Sequence, residues 1–284
     1  MNYRHAFHAG NFADVHKHLT FLAVLDYLLQ KPKPMFFLDT HAGRGEYDLR
    51  SADAERGNEW RSGIGRIFSS EFKSPLLKRY QEVIRKAQQG AGALHVYPGS
   101  PLIAAHVLRD IDRRVFVEKQ AEECLALRKL LRQPQHHISN TTVDDGDGYH
   151  ALHAYLPPKE KRGLIFVDPP FEEADEFKSL EQALVQAAER WPTGVYCLWY
   201  PLKAGGLVNQ FYAALKRSGL RKLLLAELSV RPADTPLALN GSGMLIMNPP
   251  WQLDTALRAA YAELLPVLAP EGLGSQRVEW LVKE

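Results

Sequence analysis

Short apolar segments that alternate with amphipathic stretches constrain the fold of this chain more than any other feature. Helices are predicted at 12–30, 121–131, 177–190 and 207–217, where apolar residues recur at helical spacing. Apolar runs of strand length lie between them, at 35–39, 115–117, 138–143, 163–167 and 194–198. Strands that alternate with helices of this length imply βαβ units around a mainly parallel sheet.

The pattern changes near the C-terminus. Two strands are predicted at 222–230 and 243–247 with no helix between them, followed by a helix at 254–265 and a last strand at 278–282. An antiparallel pair at one end of the sheet fits this arrangement. We therefore expect an α/β, Rossmann-like fold whose mainly parallel sheet has an antiparallel end.

A charged, helical stretch at 51–92 interrupts the alternation. We interpret it as a small helical insertion subdomain, so that 1–50 and 93–284 form the main domain. Its basic residues, including Arg61, Arg66 and Lys73, are candidate contacts to phosphate. Glutamates are interleaved with them, and an ordinary solvated helix surface is an equally good interpretation.

The bulk properties exclude several classes of protein. The N-terminal segment has no apolar core typical of a secretory signal, and no apolar run approaches the roughly 18 residues of a membrane span, so a cytoplasmic location is expected. The two cysteines, Cys124 and Cys197, form no CxxC pair, which argues against a disulfide scaffold or a zinc ribbon. The net charge of +2 neither indicates nor excludes binding to nucleic acid.

Polar motifs follow the predicted strands in a specific order. Gly43-x-Gly45 follows the first strand, Glu118 ends the second, an acidic turn (Asp144-Asp-Gly-Asp-Gly148) follows the third, and Asp168-Pro-Pro-Phe171 follows the fourth. In a doubly wound sheet ligands bind beyond the carboxyl ends of the strands. The glycines leave room and free N–H groups for a ligand, and Glu118 can accept hydrogen bonds from two ribose hydroxyls.

The Asp-Pro-Pro-Phe motif fits methylation of an adenine amine. The N6 amine is a poor nucleophile because its lone pair is delocalised into the ring. Asp168 can accept one of its N–H hydrogen bonds, the carbonyl of Pro169 the other, and Phe171 can stack on the base. The two prolines fix the backbone and so hold the acceptors in place before the reaction.

A second match to this motif, Asn248-Pro-Pro-Trp251, follows the strand at 243–247. Its position in the late antiparallel region lies away from the expected pocket. We interpret it as a structural stop before the last helix, and we expect Asp168 to be the catalytic residue.

Histidines crowd the N-terminal segment, at positions 5, 8, 16 and 18. A metal site is one interpretation. On a helix, however, His16 and His18 point to different faces, and Asp14 is the one nearby carboxylate. We therefore expect no metal. The same segment carries Tyr3, Arg4, Asn11 and Lys17, which suit a cofactor carboxylate or an RNA phosphate.

Several motifs together carry a family resemblance. They are the segments 3–11 (YRHAFHAGN), 13–18 (ADVHKH), 38–45 (LDTHAGRG), 97–101 (YPGSP), 168–171 (DPPF), 198–201 (LWYP) and 243–251 (GMLIMNPPW). The chain resembles, nearly end to end, the bacterial ribosomal RNA large subunit methyltransferase J family. The resemblance is weakest in 51–92.

The resemblance implies a class I S-adenosylmethionine-dependent methyltransferase that modifies N6 of adenine 2030 in 23S rRNA. It also implies which residues line the cofactor site, with Asp168 catalytic as well: His18, His41, Ser100, Glu118, Asp147, Gly148 and Asp168. Lys17 lies in the same N-terminal motif and is assigned to the cofactor site, while Tyr3, Pro169 and Phe171 are assigned to the substrate. The expected partner is 23S rRNA, and a monomer is favoured although the sequence does not determine the oligomeric state.

The sequence departs from the family pattern at two points. Phe171 stands where the family more often has Tyr, so stacking is retained but a hydroxyl is lost. The acidic turn is doubled, and we assign Asp147-Gly148 rather than Asp145-Gly146 because the aromatic Tyr149 follows it.

Three other functions stay open at this point. A DNA adenine methyltransferase would use the same chemistry, although such enzymes usually carry a larger recognition domain than 51–92. A metallohydrolase would use the N-terminal histidines. A non-catalytic RNA-binding protein would use the basic residues of 51–92.

Overall fold

A twisted sheet of eight strands forms the centre of the computed structural model, which describes residues 5–136, 139–173, 175–236 and 238–284. The strand order is β10-β8-β9-β7-β6-β1-β4-β5, and a separate two-stranded ribbon pairs β2 with β3. The strands are β1 (Phe36–Asp39), β2 (Glu46–Asp48), β3 (Val96–Pro98), β4 (Arg113–Glu118), β5 (Thr141–Asp145), β6 (Gly163–Val167), β7 (Val195–Leu202), β8 (Leu223–Ser229), β9 (Gly241–Met247) and β10 (Ser275–Val282).

Strand direction divides the sheet into two parts. The neighbours β5, β4, β1, β6 and β7 pair in parallel. β9 lies between β7 and β8 and is antiparallel to both, and β10 is antiparallel to β8. The prediction of a mainly parallel α/β sheet with an antiparallel end is therefore confirmed.

Helices cover both faces of the sheet. They are α1 (Phe12–Leu29), α2 (Ala52–Gly57), α3 (Ile64–Ser69), α4 (Pro75–Ala87), α5 (Ser100–Val107), α6 (Ala121–Leu131), α7 (Gly148–Tyr155), α8 (Glu176–Arg190), α9 (Leu207–Arg217) and α10 (Leu253–Leu268). One core lies among α1, α4 and α10, and a second lies under α7, α8 and α9.

Helix α1 is an interior helix, although its sequence contains several polar residues. The side chain of Asn11 caps its N-terminus by accepting a hydrogen bond from the Asp14 amide at 2.9 Å. His16, Lys17 and His18 are all buried, together with the apolar residues of the helix. Burying polar groups costs free energy unless they have partners. Three such groups in succession on one helix therefore indicate that this part of α1 belongs to a site.

Along the chain, the helices of 51–92 come after β2 and before β3, and these two strands pair with each other to form the ribbon. They share the core of the main domain, because Ile64, Leu77 and Tyr80 pack in the cluster that contains α1 and α10. Residues 51–92 are therefore integrated by packing, and a division at 51 and 92 stays a prediction about the chain's organisation.

The structure also contains elements that the sequence pattern did not predict. These are the ribbon strands β2 and β3 and the helices α5 and α7. β7 also runs to Leu202, beyond the predicted end at 198, because its last residues continue to pair with β9 after pairing with β6 has ended.

Candidate active site

The predicted polar motifs meet at one edge of the sheet. Asp39, Glu118, Asp145 and the residue after Val167 stand at the carboxyl ends of β1, β4, β5 and β6, which are adjacent parallel strands. The amino end of α1 reaches the same edge through Lys17, which contacts Asp168. The structure thus brings together residues that are far apart in the sequence, at the place where this type of sheet binds ligands.

Glu118 and the glycine loop form one wall. The Glu118 carboxylate accepts hydrogen bonds from the Gly43 and Gln120 amides, both at 2.7 Å. Gly43 has a φ of +62°, a conformation that side chains rarely adopt, and a Cβ there would stand 2.6 Å from the Tyr47 hydroxyl. Burial raises the pKa of Glu118, and each of its oxygens keeps a lone pair for a ligand.

A second wall is formed by His41, Asp147 and Gly148. The His41 ring bonds to the Thr40 hydroxyl at 2.8 Å and packs edge-on against Tyr149, and burial lowers its pKa to about 4, so the ring is neutral. A Cβ on Gly148 would stand only 2.2 Å from the Thr40 carbonyl oxygen, so the close approach of these two turns requires glycine. His41 and Gly148 are therefore neighbours.

Asp147 also has a structural role, which its assignment to a cofactor did not anticipate. Its carboxylate caps α7 by accepting hydrogen bonds from the Tyr149 and His150 amides, at 3.0 and 3.2 Å, and it pairs with Lys119 at 3.2 Å. Burial opposes its ionisation, but these hydrogen bonds outweigh burial and lower its pKa. Asp147 is a carboxylate held in place at the rim of the site.

Ser100 lies deeper, at the start of α5, beside the Asp39 carboxyl group. Asp39 is completely buried, and burial raises its pKa to about 7. In the part of the chain that the structure describes, its Oδ2 atom has no hydrogen-bond partner. A buried, unpartnered carboxylate oxygen of this kind suits a polar or cationic group of a ligand.

Lys17 joins two carboxylates at the centre of the site. Its ammonium group lies 2.6 Å from Asp168 Oδ2 and 2.9 Å from Asp14 Oδ1. Burial opposes the charge on Lys17, but the two carboxylates outweigh it and raise the pKa of Lys17. Burial raises the pKa of Asp168 while Lys17 lowers it, and the net direction is upward. The ammonium also lies 5.4 Å from the centroid of the Trp199 ring.

Asp14 anchors the segment before α1. Besides Lys17, its carboxylate accepts hydrogen bonds from the Gly10 amide at 2.8 Å and from the His5 ring at 3.0 Å. Burial alone would raise its pKa, but the neighbouring cations lower it well below the ordinary value. His18 faces another way, bonding to the Tyr97 hydroxyl at 2.7 Å, and burial lowers its pKa to about 3.

Aromatic rings surround the turn that follows Asp168. Phe171 packs edge-on against Phe177 and Trp199, with ring centroids 4.8 and 5.6 Å apart. Its φ of +52° is unusual for a bulky residue and costs roughly 1–3 kcal/mol. Backbone strain of this size persists where the surroundings enforce it, which is common at functional sites.

Comparison with known proteins supports the resemblance. The model of the family described as "Ribosomal RNA large subunit methyltransferase D, RlmJ" matches residues 32–282. Two proteins named "Ribosomal RNA large subunit methyltransferase J" are 38% identical (Haemophilus influenzae, strain ATCC 51907 / DSM 11121 / KW20 / Rd) and 37% identical (Escherichia coli, strain K12), each over all 284 residues and the full length of the relative. The chain belongs to the RlmJ family.

A crystal structure of a protein from Legionella pneumophila str. Philadelphia 1 is similar to this chain. The TM-score is 0.87 at 36% identity, over 96% of this chain and 98% of that one. Membership of the RlmJ family establishes an rRNA methyltransferase with a Rossmann-like fold that depends on S-adenosylmethionine, as the resemblance implied.

The second Pro-Pro motif lies at the opposite edge of the sheet. β9 is antiparallel to β7, so its carboxyl end meets the amino end of β7. There the Asn248 side chain donates hydrogen bonds to the carbonyls of Pro192 and Gly194, at 2.9 and 2.8 Å. Asn248 thus ties two loops together, away from the RlmJ site.

The N-terminal histidines have separate partners. His8 bonds to Glu59 and His16 to Ser242, while His5 and His18 bond to Asp14 and Tyr97. Within residues 5–136, 139–173, 175–236 and 238–284, no three His, Cys, Asp or Glu side chains converge on a common metal position. The helices in these ranges also include none that is long and apolar enough to span a membrane.

One predicted substrate residue, Tyr3, lies outside the described residues. Conversely, reasoning from the sequence did not assign a role to His5, Asp14, Asp39 or Trp199. All four residues lie inside motifs that carried the RlmJ resemblance, so a signal was present. What was missing is the contact of α1 with the end of β6, which no local pattern reveals.

Proposed function

We propose that this chain transfers a methyl group from S-adenosylmethionine to N6 of an adenine in 23S rRNA, adenine 2030 by family resemblance. The observation that supports it most directly is the position of Asp168 after β6, held by Lys17. Because Lys17 occupies Oδ2, the Oδ1 atom of Asp168 is left to accept a hydrogen bond from the target amine.

Two acceptors orient the amine. Asp168 accepts one N6–H, and the carbonyl of Pro169 accepts the other, which directs the nitrogen lone pair away from both acceptors. Lys17 opposes the rise in the pKa of Asp168 that burial causes, and the carboxylate acts as an acceptor that polarises the amine. The methyl group would come from the sulfonium of S-adenosylmethionine, which would leave as neutral S-adenosylhomocysteine. The methylated amine would then lose its proton to solvent.

Phe171 provides a face on which the adenine ring can stack. Its edge-on contacts with Phe177 and Trp199 fix the orientation of the ring. A stacked base read in this way must leave its helix or loop stack. The absence of a tyrosine hydroxyl at position 171 does not affect stacking, so we expect the activity to be retained.

Charge complementarity favours a cationic methyl donor. Asp14, Lys17 and Asp168 together carry one net negative charge in a buried setting, where electrostatic interactions are stronger than in water. S-adenosylmethionine supplies a methyl group on a positively charged sulfonium, which such a cluster attracts.

The residues at the other strand ends fit the rest of that cofactor. Glu118 would accept hydrogen bonds from the ribose hydroxyls, and the unpartnered Asp39 oxygen beside Ser100 would face the amino-acid portion. His41, Asp147 and Gly148 would line the adenine side, where the close contact between Gly148 and Thr40 shapes a narrow wall. His18 supports the site from behind through Tyr97.

The structure weakens one argument for RNA contact by 51–92. Arg61 pairs with Glu55 at 3.0 Å, and Arg66 donates to the carbonyls of Val267 and Leu268. We keep the prediction that replacing Arg61, Arg66 and Lys73 together weakens RNA binding. If these arginines serve only their internal partners, neither affinity nor its salt dependence will change.

Transfer of a labelled methyl group separates the candidate functions. We expect label in protein-free 23S rRNA, at N6 of adenine by mass spectrometry, and none in duplex DNA. Asp168→Ala should abolish transfer and leave cofactor binding measurable by calorimetry. Label in DNA alone would favour the DNA methyltransferase. Full activity of Asp168→Ala would refute the assigned mechanism.

A further inference from the structure

Basic residues gather at the edge of the sheet opposite the active site. The segments 31–34 and 159–162 come just before β1 and β6, and 109–114 leads into β4. Hydrogen bonds join them: Arg109 donates to the Lys31 and Lys33 carbonyls, and Arg162 also donates to the Lys33 carbonyl. We name these three segments the amino-edge patch.

The charge of this patch exceeds that of the whole chain. The three segments contain eight Lys or Arg and three Asp or Glu residues, a net charge of +5 against +2 for the chain. The rest of the molecule therefore has a net charge of −3, and it includes the carboxylates of the active-site edge. A polyanion is attracted to the patch more strongly than to the average surface.

The arginines of the patch serve as its scaffold. Arg109 forms a paired contact with Asp112, Arg113 pairs with Glu160 at 2.9 Å, and Arg114 donates to the carbonyls of Arg109 and Ser139. Their planar guanidinium groups bind several acceptors at once, which fixes the loops. Few of their donors remain for an external ligand.

The lysines are arranged differently. Lys33, Lys159 and Lys161 are exposed and line a cavity of about 490 Å³, together with Arg113, Asn140 and Glu160. The Glu160 carboxylate is paired with Arg113, which offsets its negative charge. Among the described residues these three lysines have no ion-pair partner within 4.0 Å. A rigid loop framework thus presents unpaired ammonium groups around one concave surface, which is the arrangement that phosphate groups need.

We infer that the amino-edge patch binds the phosphate backbone of the rRNA substrate at a point remote from the methylated adenine. β6 alone separates Arg162 from Asp168, which places the patch about 20 Å from the acceptor site at roughly 3.3 Å per residue. A hairpin whose stem is shorter than this distance does not reach the patch from Asp168, whereas a longer RNA passes around the side of the sheet. This inference rests on the proposed function, because it requires an RNA substrate.

The test compares long and short RNA. The triple variant Lys33→Gln/Lys159→Gln/Lys161→Gln is compared with Lys129→Gln/Lys216→Gln/Arg217→Gln, which removes the same charge from exposed positions on α6 and α9. Binding of protein-free 23S rRNA and of a short hairpin with the target adenine is measured across a fourfold range of salt. Methyl transfer to both RNAs gives kcat and KM.

For the patch variant on 23S rRNA, we expect the slope of log affinity against log salt to become shallower by about 2. Over the fourfold range of salt, the variant would therefore lose roughly 16-fold less affinity than the wild type loses. KM for 23S rRNA rises, kcat is unchanged, and the hairpin is bound as by the wild type. The inference is overturned if the two variants behave alike, or if hairpin and 23S rRNA lose equal affinity. If the wild type binds 23S rRNA without methylating it, the proposed function fails. The salt slopes of the two variants still show whether the amino-edge patch binds RNA phosphate.

Discussion

Replacing Lys17 by methionine tests the centre of the active site. The ammonium group is buried between Asp14 and Asp168, at 2.9 and 2.6 Å. Methionine has a similar length and keeps most of the packing, but it removes the charge that compensates two buried carboxylates. Breaking a buried pair by removing one partner costs roughly 3–5 kcal/mol. We expect a loss of this size in the free energy of unfolding at neutral pH.

The loss depends on pH in a defined direction. Burial already raises the folded-state pKa of Asp168 above its unfolded value, so ionising this group destabilises the fold as pH rises. Without Lys17 that pKa rises further, and Asp14 loses part of the attraction that lowers its own pKa. The destabilisation of Lys17→Met is therefore largest at neutral pH and decreases in acid, where Asp168 becomes protonated.

Two measurements check this reasoning. Urea unfolding from pH 5 to 8 gives the stability, and the rate of methyl transfer over the same range gives the activity profile. The residual activity of Lys17→Met should need a higher pH, because Asp168 must be ionised to accept the amine hydrogen. Asp14→Asn in the same chain should restore part of the stability but not the activity.

A lysine at the surface provides the control for the loss of the buried Lys17 charge. Lys222 pairs with Glu284 at the surface, so Lys222→Met should leave the urea midpoint unchanged. Equal stability of Lys17→Met and the wild type, together with an unshifted activity profile, would refute the reasoning.

Three further predictions concern individual side chains. Asn248→Ala removes two hydrogen bonds between loops and should lower stability by about 1–3 kcal/mol in urea, with kcat unchanged; a large loss of kcat would place the second motif in the reaction. Because burial raises the pKa of Asp39 to about 7 and the α-ammonium group of the ligand favours the ionised form of Asp39, the calorimetric affinity for S-adenosylhomocysteine should increase as pH rises through 7. In Asp39→Asn this dependence of the affinity on pH should be absent. Trp199→Leu removes an edge contact to Phe171 and should raise KM for RNA roughly two- to tenfold, whereas an unchanged KM would show that Phe171 needs no such support.

Local sequence patterns were sufficient for most of the regular elements. The predicted helix at 121–131 and strand at 163–167 coincide with α6 and β6, because side-chain periodicity is a property of consecutive residues. The ribbon of β2 and β3 was missed for the opposite reason. Each strand has three residues, and the pairing of Glu46 with Pro98 spans the whole of 51–92. No local signal encodes such a pairing.

The candidate site divides in the same way. The motifs at the strand ends could be found in the sequence, since glycine turns and Asp-Pro-Pro are local features. The partnership of Lys17 with Asp168 could not, because α1 and β6 are distant in sequence and meet only through tertiary packing. Asp39 was overlooked because its unpartnered oxygen and raised pKa arise from burial, which the sequence does not report.

The two Pro-Pro motifs illustrate the division most directly. By composition, Asp168-Pro-Pro-Phe171 and Asn248-Pro-Pro-Trp251 are near equivalents. The order of the surrounding motifs and the predicted antiparallel position of the second motif favoured the first. The sheet separates them physically. β6 runs parallel to β1 and delivers Asp168 to the edge shared with Glu118, whereas β9 runs antiparallel and delivers Asn248 to the opposite edge. Sequence determined which residues could perform the chemistry, and strand direction decided which of them share a site.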